Sequence, residues 1–323
     1  MALYYLKKRG EVMTTTFDLS KFKGIIPAFY ACYEEDGQIS QERTYTLCDY
    51  YLQKQVHGVY VGGSSGECIY HNLEERKAVL TFVADRLKGK MTLIAHVGAP
   101  STRDSILLAE HAASLGYDAL SAIPPIYFTL PDHAVSRYWN DIIEATSLPF
   151  LIYNIPQTTG YTLRTSFYKE LLKNKKVIGV KNSSMPAFDI ERFKRTGGHE
   201  SIVFNGPDEQ FVAGRIMGAD GGIGGTYGVM PELFLLADQY IEQGKFIEAR
   251  QIQSDINEII MALCSLDGSM YAGIKEVLRR RGVNIGGVRL PLAGITEQDT
   301  ARIDEIISLL QQAESRFISE RIS

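Results

Sequence analysis

Residues 177–181 read Val-Ile-Gly-Val-Lys, an apolar run suited to a strand covered on both faces, and the run ends on an amine. Neighbouring lysines sit in the polar stretch just before it, at Lys173, Lys175 and Lys176. An amine withdrawn from water holds its proton less tightly, and a neutral amine attacks a carbonyl to form a Schiff base. A strand-end lysine also snorkels to solvent or pairs with an acid, and the residues alone leave both readings open. Tyr153 closes a second apolar run, Phe150-Leu151-Ile152. Its phenol either caps on backbone or moves a proton beside an imine.

Two glycine-rich stretches accompany these residues. "GGSSGE" (62–67) offers backbone N–H groups and two hydroxyls at a strand-to-loop turn, a frame for a carboxylate or phosphate or simply a tight turn. "GADGGIGGTYG" (218–228) could cradle a phosphate, but glycines that let a strand and its loop pack closely are the simpler reading. The six histidines form no pair four residues apart with a third ligand near, so no metal site is expected and His96 reads as a satisfied core histidine. Cys32, Cys48, Cys68 and Cys264 are widely separated, with neither zinc nor disulfide spacing, and suit a reducing cytoplasm.

The elements that must position these residues follow a repeating rhythm. Short runs rich in β-branched residues occur at 24–30, 58–63, 91–98, 118–123, 149–154, 177–181, 201–206 and 221–225. Amphipathic stretches lie between them, among them 40–55, 73–89, 103–116 and 209–218. Eight strand–helix units over about 200 residues predict an α/β (β/α)8 TIM barrel, with function on the loops after the strands. A doubly wound open sheet shares the alternation, but no Gly-x-Gly-x-x-Gly follows the first strand. Lys181, Tyr153, "GGSSGE" and "NGPDE" (205–209) all fall at carboxyl ends of the expected strands.

Helical patterns continue at 231–243, at 245–282 with a break near Gly268, and at 296–320. The expected division is a disordered extension over 1–20, a barrel over 21–230, and C-terminal helices over 231–323 that complete the barrel and form an appendage. Met13 is an alternative start. Net charge is −4 with 45% hydrophobic and 22% charged residues, which points to no nucleic-acid partner and no anionic membrane surface. No apolar run is long enough to span a bilayer. Arg279-Arg280-Arg281 reads as a solvated helix end.

Taken in order, "YVGGSSGE", "LIAHVG", "YNIP", "VIGVKNSS" and "NGPDE…GADGGIGGTYG" resemble the pyruvate-dependent aldolases, the family of N-acetylneuraminate lyase and dihydrodipicolinate synthase. The resemblance runs from about Gly24 through the C-terminal helices. It implies a barrel with a helical extension, a homotetramer built as a dimer of dimers, and neither metal nor organic cofactor. Lys181 matches the Schiff-base lysine that holds pyruvate, and Tyr153 the tyrosine that moves protons at the reacting carbon–carbon bond. Ser64 and Ser65 match the positions that bind the pyruvate carboxylate and link Tyr153 into a hydroxyl relay. Tyr127, in "PPIYF", matches the tyrosine a neighbouring subunit adds to that relay.

Within the family, "YNIPQTTG" carries Gln157 and Thr158 where the synthase branch has an arginine for its second substrate. The lyase branch is the better match. Gly206, Asp208 and Glu209 match residues that bind the sugar hydroxyls, and Ser183 a hydroxyl position just after the lysine. The implied reaction is aldol cleavage of N-acetylneuraminate, a keto sugar acid, to N-acetylmannosamine and pyruvate. Pro207 replaces the usual aromatic, and Gly225 stands where the lyases carry a serine. A 2-keto-3-deoxy sugar acid aldolase, a 4-hydroxy-tetrahydrodipicolinate synthase and a non-catalytic ligand-binding barrel are the alternatives.

Overall fold

A computed structural model describes residues 17–318. Most of the extension expected over 1–20, with Met13, lies outside the described residues. Phe17 and Leu19 are within them, half-buried against the barrel's inner cluster. Eight parallel strands form the sheet: β1 (Gly24–Pro27), β2 (Gly58–Val61), β3 (Thr92–His96), β4 (Ala119–Ala122), β5 (Phe150–Asn154), β6 (Val177–Asn182), β7 (Ile202–Asn205) and β8 (Gly221–Gly224). Their order is β1-β8-β7-β6-β5-β4-β3-β2, and a parallel bridge between Ala28 and Tyr60 closes the ring. This is the expected TIM barrel.

Every strand residue is buried because each strand has a filled interior on one side and helices on the other. Ile26, Tyr60, Ile94, Leu151, Ile178 and Phe204 are among those filling the interior. The alternate residues, such as Val59, Leu93 and Ile152, pack outward under the helices.

The helices between strands are α1 (Gln41–Lys54), α2 (Leu73–Leu87), α3 (Thr102–Leu115), α4 (Asp132–Glu144), α5 (Pro156–Thr159), α6 (Thr165–Leu171), α7 (Phe188–Gly197) and α8 (Phe211–Ile216). Their starts are chemically marked. Ser40, Asn72 and Ser101 each accept a hydrogen bond from the third residue onward, and Glu75 returns one to complete the Asn72 capping box. The helix expected over 209–218 is shorter. Asp208–Gln210 form a 3-10 turn, and the Asp208 carboxylate is held by Thr226 from the loop after the neighbouring strand β8.

Beyond β8 come α9 (Pro231–Glu242), α10 (Phe246–Cys264), α11 (Met270–Arg280) and α12 (Thr300–Ile318). α9 packs on β1 and α8, while α10 packs on α9 and α12 and against the 3-10 turn at Asp208. The expected break falls between α10 and α11, where a Cβ at Gly268 would meet the Gly294 carbonyl oxygen at 2.6 Å. The arginine cluster differs in part from expectation. Arg279 is exposed as expected, but Arg280 bonds to Asp304 and Arg281 to Glu314, so these two tie α11 to α12.

Candidate active site

Lys181 faces the barrel interior because β6 carries one extra residue. Phe150 pairs with Val177 but Leu151 pairs with Gly179, a β-bulge. Val177 and Val180 pack outward and Ile178 inward. In an unbroken strand an inward Ile178 would send Lys181 out among the helices. The slip reverses that phase and pairs Lys181 with the inward Tyr153. Gly179 permits it, since a Cβ there would come within 1.9 Å of the Ile202 carbonyl oxygen.

The Lys181 side chain is 5% exposed, its Nζ 4.0 Å from the centre of the Tyr153 ring and 4.4 Å from that of Tyr60. Burial among these rings pulls the ammonium down to about 7, and the Asp208 carboxylate opposes the shift. The same burial raises Asp208 to about 6, against the Thr226 hydroxyl and amide that favour its charged form. Asp208 Oδ2 accepts both Thr226 bonds at 2.6 Å. Its Oδ1 is buried against Gly224 with no partner among the described residues.

Hydroxyls complete the mouth. The Tyr153 phenol is raised to about 12 by burial, while hydrogen bonds with Ser183 and Ser64 pull it partly back. Ser65 Oγ lies 3.1 Å from the Tyr271 hydroxyl. The loop bearing both serines turns tightly: Gly66 and Glu67 donate their N–H groups to Gly63 and Ser64. Those two amides are therefore spent within the turn, and anion binding by "GGSSGE" falls to its hydroxyls and remaining amides. Glu67 takes a left-handed φ of 52° and is fixed by Lys275, Tyr33 and the Arg289 amide.

A cavity of about 320 Å³ joins Lys181, Tyr153, Ser64, Ser65, Ser183, Gly206, Asp208, Glu209 and Gly225. Gly206 is required by Ser183, whose Oγ would lie 1.9 Å from a Cβ at 206. Glu209 is exposed at the rim. Tyr127 is not drawn in: it is 94% exposed after β4, with a left-handed φ of 84°. His96 lies behind the site as a core residue, its Nδ1 bonded to the Gly62 carbonyl at 2.8 Å and its charged form strongly disfavoured by burial. The glycines that open β8 serve packing: Cβ atoms at 221 and 222 would meet Gly24 and Tyr227 at 2.2 and 2.1 Å. Asn182 and Ser184, without assigned roles in the sequence, bond with each other and with Asn154 and Asp189 to hold the ends of β5 and β6.

Sequence reasoning missed Tyr60, Thr226 and Tyr271. Tyr60 reads as an ordinary strand aromatic, and Tyr271 reaches Ser65 across 206 residues, a pairing no local pattern reveals. Among the described residues, no group of three or more His, Cys, Asp or Glu gathers as a metal site would require.

Residues 21–310 match the dihydrodipicolinate synthetase family. The chain belongs to that family. Among family members, it is 50% identical over 316 residues to an N-acetylneuraminate lyase of Mediterraneibacter gnavus, covering 97% of this chain and 99% of the relative. It is 37% identical to an N-acetylneuraminate lyase of Rhizobium meliloti, covering 89% and 95%. The solved structure of a Ruminococcus gnavus sialic acid aldolase catalytic lysine mutant superposes with a TM-score of 0.92 at 51% identity, covering 93% of this chain and 99% of that one.

Proposed function

We propose that this chain is a class I aldolase, a carbon–carbon lyase that cleaves N-acetylneuraminate to N-acetyl-D-mannosamine and pyruvate in sialic acid catabolism. The observation that carries the reading is a buried amine, poised near neutrality, whose strand partner is a phenol in the same cavity as the Ser64 and Ser183 hydroxyls. Near-full-length similarity to lyases supports the substrate. So does Gln157 at the cavity wall, which offers an amide where a synthase needs a cation.

Lys181 Nζ attacks C2 of the open-chain keto acid, and loss of water leaves a protonated imine. The C4 hydroxyl gives its proton to Tyr153, relayed through Ser64, as the C3–C4 bond breaks and its electrons enter the imine. The resulting enamine takes that same proton back at C3 through Tyr153, and water releases pyruvate and the free amine. The imine is the electron sink, so the chemistry asks for no cofactor. Ser65 holds the carboxylate, Gly225 leaves the adjoining wall open, and Ser183, Gly206, Asp208 and Glu209 hold the sugar hydroxyls.

Tyr127 completes the site of a second copy in a homotetramer, and its full exposure and strained backbone support an intermolecular contact. Four unpaired cysteines support a reducing, cytoplasmic setting.

Borohydride added with pyruvate tests the core of this reading. A mass gain fixed on Lys181 is expected, and its absence sinks the Schiff-base step. Pyruvate release across a panel of keto acids tests the substrate; release only from non-aminated sugar acids overturns the lyase assignment in favour of a sugar acid aldolase.

A further inference from the structure

Tyr271 is the one tyrosine that the C-terminal helices send into the substrate cavity. It occupies the first turn of α11, behind the Ser269 cap. Its hydroxyl meets Ser65 Oγ at 3.1 Å, and it also lies 3.3 Å from where a Cβ at residue 225 would be. Nothing in the backbone demands glycine at 225, which has no left-handed φ. The atoms nearest to a Cβ there would be the Ser65 and Tyr271 hydroxyl oxygens, at 3.1 and 3.3 Å, and the edge of the Tyr271 ring at 3.7 Å. The missing side chain therefore leaves room that the Tyr271 phenol shares with the cavity.

The position is braced from behind. The Tyr30 hydroxyl donates to the Gly225 carbonyl at 2.6 Å, and the Tyr30 ring packs against that of Tyr271 with centres 6.5 Å apart. One helical turn along the same face, Lys275 anchors α11 to Glu67, two residues past Ser65. Tyr271 also lines a second cavity of about 450 Å³, so its ring is a partition as well as a hydroxyl carrier.

We propose that Tyr271 is a specificity-determining residue, whose hydroxyl binds a hydroxyl of the substrate's sugar chain in the opening left by Gly225. A phenol both donates and accepts; one role is taken by Ser65 and the other faces a cavity lined by Asp208 and Glu209. The proposal rests on the keto sugar acid reading above.

Tyr271→Phe removes the hydroxyl and keeps the partition. It is expected to raise KM for N-acetylneuraminate roughly tenfold, the effect of one lost hydrogen bond, with a much smaller change in kcat. The pyruvate concentration that half-saturates borohydride trapping on Lys181 should not move. Gly225→Ser alone is expected to weaken binding, since its Cβ crowds both hydroxyls, whereas added to Tyr271→Phe it should recover most of the lost affinity. An unchanged KM in Tyr271→Phe, with trapping intact, overturns this inference alone. So does a half-saturating pyruvate concentration that rises in step with KM, because Tyr271 would then act only through Ser65. Failure of the native protein to trap pyruvate overturns the Schiff-base reading instead, and this inference with it.

Discussion

Glu67 and Lys275 stand 208 residues apart in sequence and meet at 2.6 Å, with side-chain exposures of 0% and 1%. Lys275 Nζ also donates to the Gly287 carbonyl at 2.6 Å, and Glu67 Oε2 accepts from the Arg289 amide at 2.8 Å and from Tyr33. The pair lies directly beneath the serine loop. It ties the turn after β2 to the helix that carries Tyr271, so the appendage is structurally part of the cavity mouth.

Lys275→Met is expected to cost about 3–5 kcal/mol, because a buried carboxylate loses its counter-charge. The double change Glu67→Gln with Lys275→Met should recover part of that loss. Thermal melts of the three variants check this, and equal losses in single and double variants would argue against a coupled pair.

In the proposed mechanism Lys181 attacks only without its proton, so the rate of imine formation should fall as pH drops through about 7. Asp208 holds that proton on, since its charge opposes the depression. Asp208→Asn should therefore shift the midpoint of pyruvate trapping to lower pH. A shift upward would contradict the electrostatic assignment.

The same depression carries a stability cost. The folded lysine titrates near 7 and the ordinary one at 10.5, so the unfolded chain holds more protons between those values. The cost is full below about 7 and disappears as pH rises through about 10.5. Lys181→Met should stabilise the fold by on the order of 3 kcal/mol at neutral pH. The gain should shrink toward pH 10, and denaturant titrations at several pH values would reveal a flat difference if the idea is wrong.

Gly179→Ala is expected to cost about 2–4 kcal/mol or prevent folding, since its methyl meets a backbone carbonyl that the barrel fixes. Where soluble protein survives, pyruvate trapping on Lys181 should fall with it. Full stability and full trapping would show that β6 tolerates a side chain at the bulge.

Much of this was legible in the sequence. The eight β-branched runs lie within a few residues of the eight strands, because strands buried on both faces have few ways to be written. Lys181 and Tyr153 stood out as polar groups ending apolar runs. What could not be read was anything set by packing between distant segments. "VIGVK" announces a strand, but whether its glycine makes a bulge depends on where the Ile202 carbonyl lies. Tyr271 and Lys275 look like two ordinary residues of an amphipathic helix until β2's loop comes up against them. Arg280 and Arg281 depart from the solvated reading for the same reason: Asp304 and Glu314 are invisible from their own stretch of sequence.

The bulge in β6 also makes the reactive amine a matter of parity. Strand residues alternate between two worlds, and a single-residue deletion before Lys181 would exchange them without altering one chemical group of the site. The barrel could close as before, its lysine handed to the helical layer and its cavity left mute. Any graft of this site onto another barrel must therefore copy an irregularity of the backbone along with the side chains, because the count of residues aims the lysine.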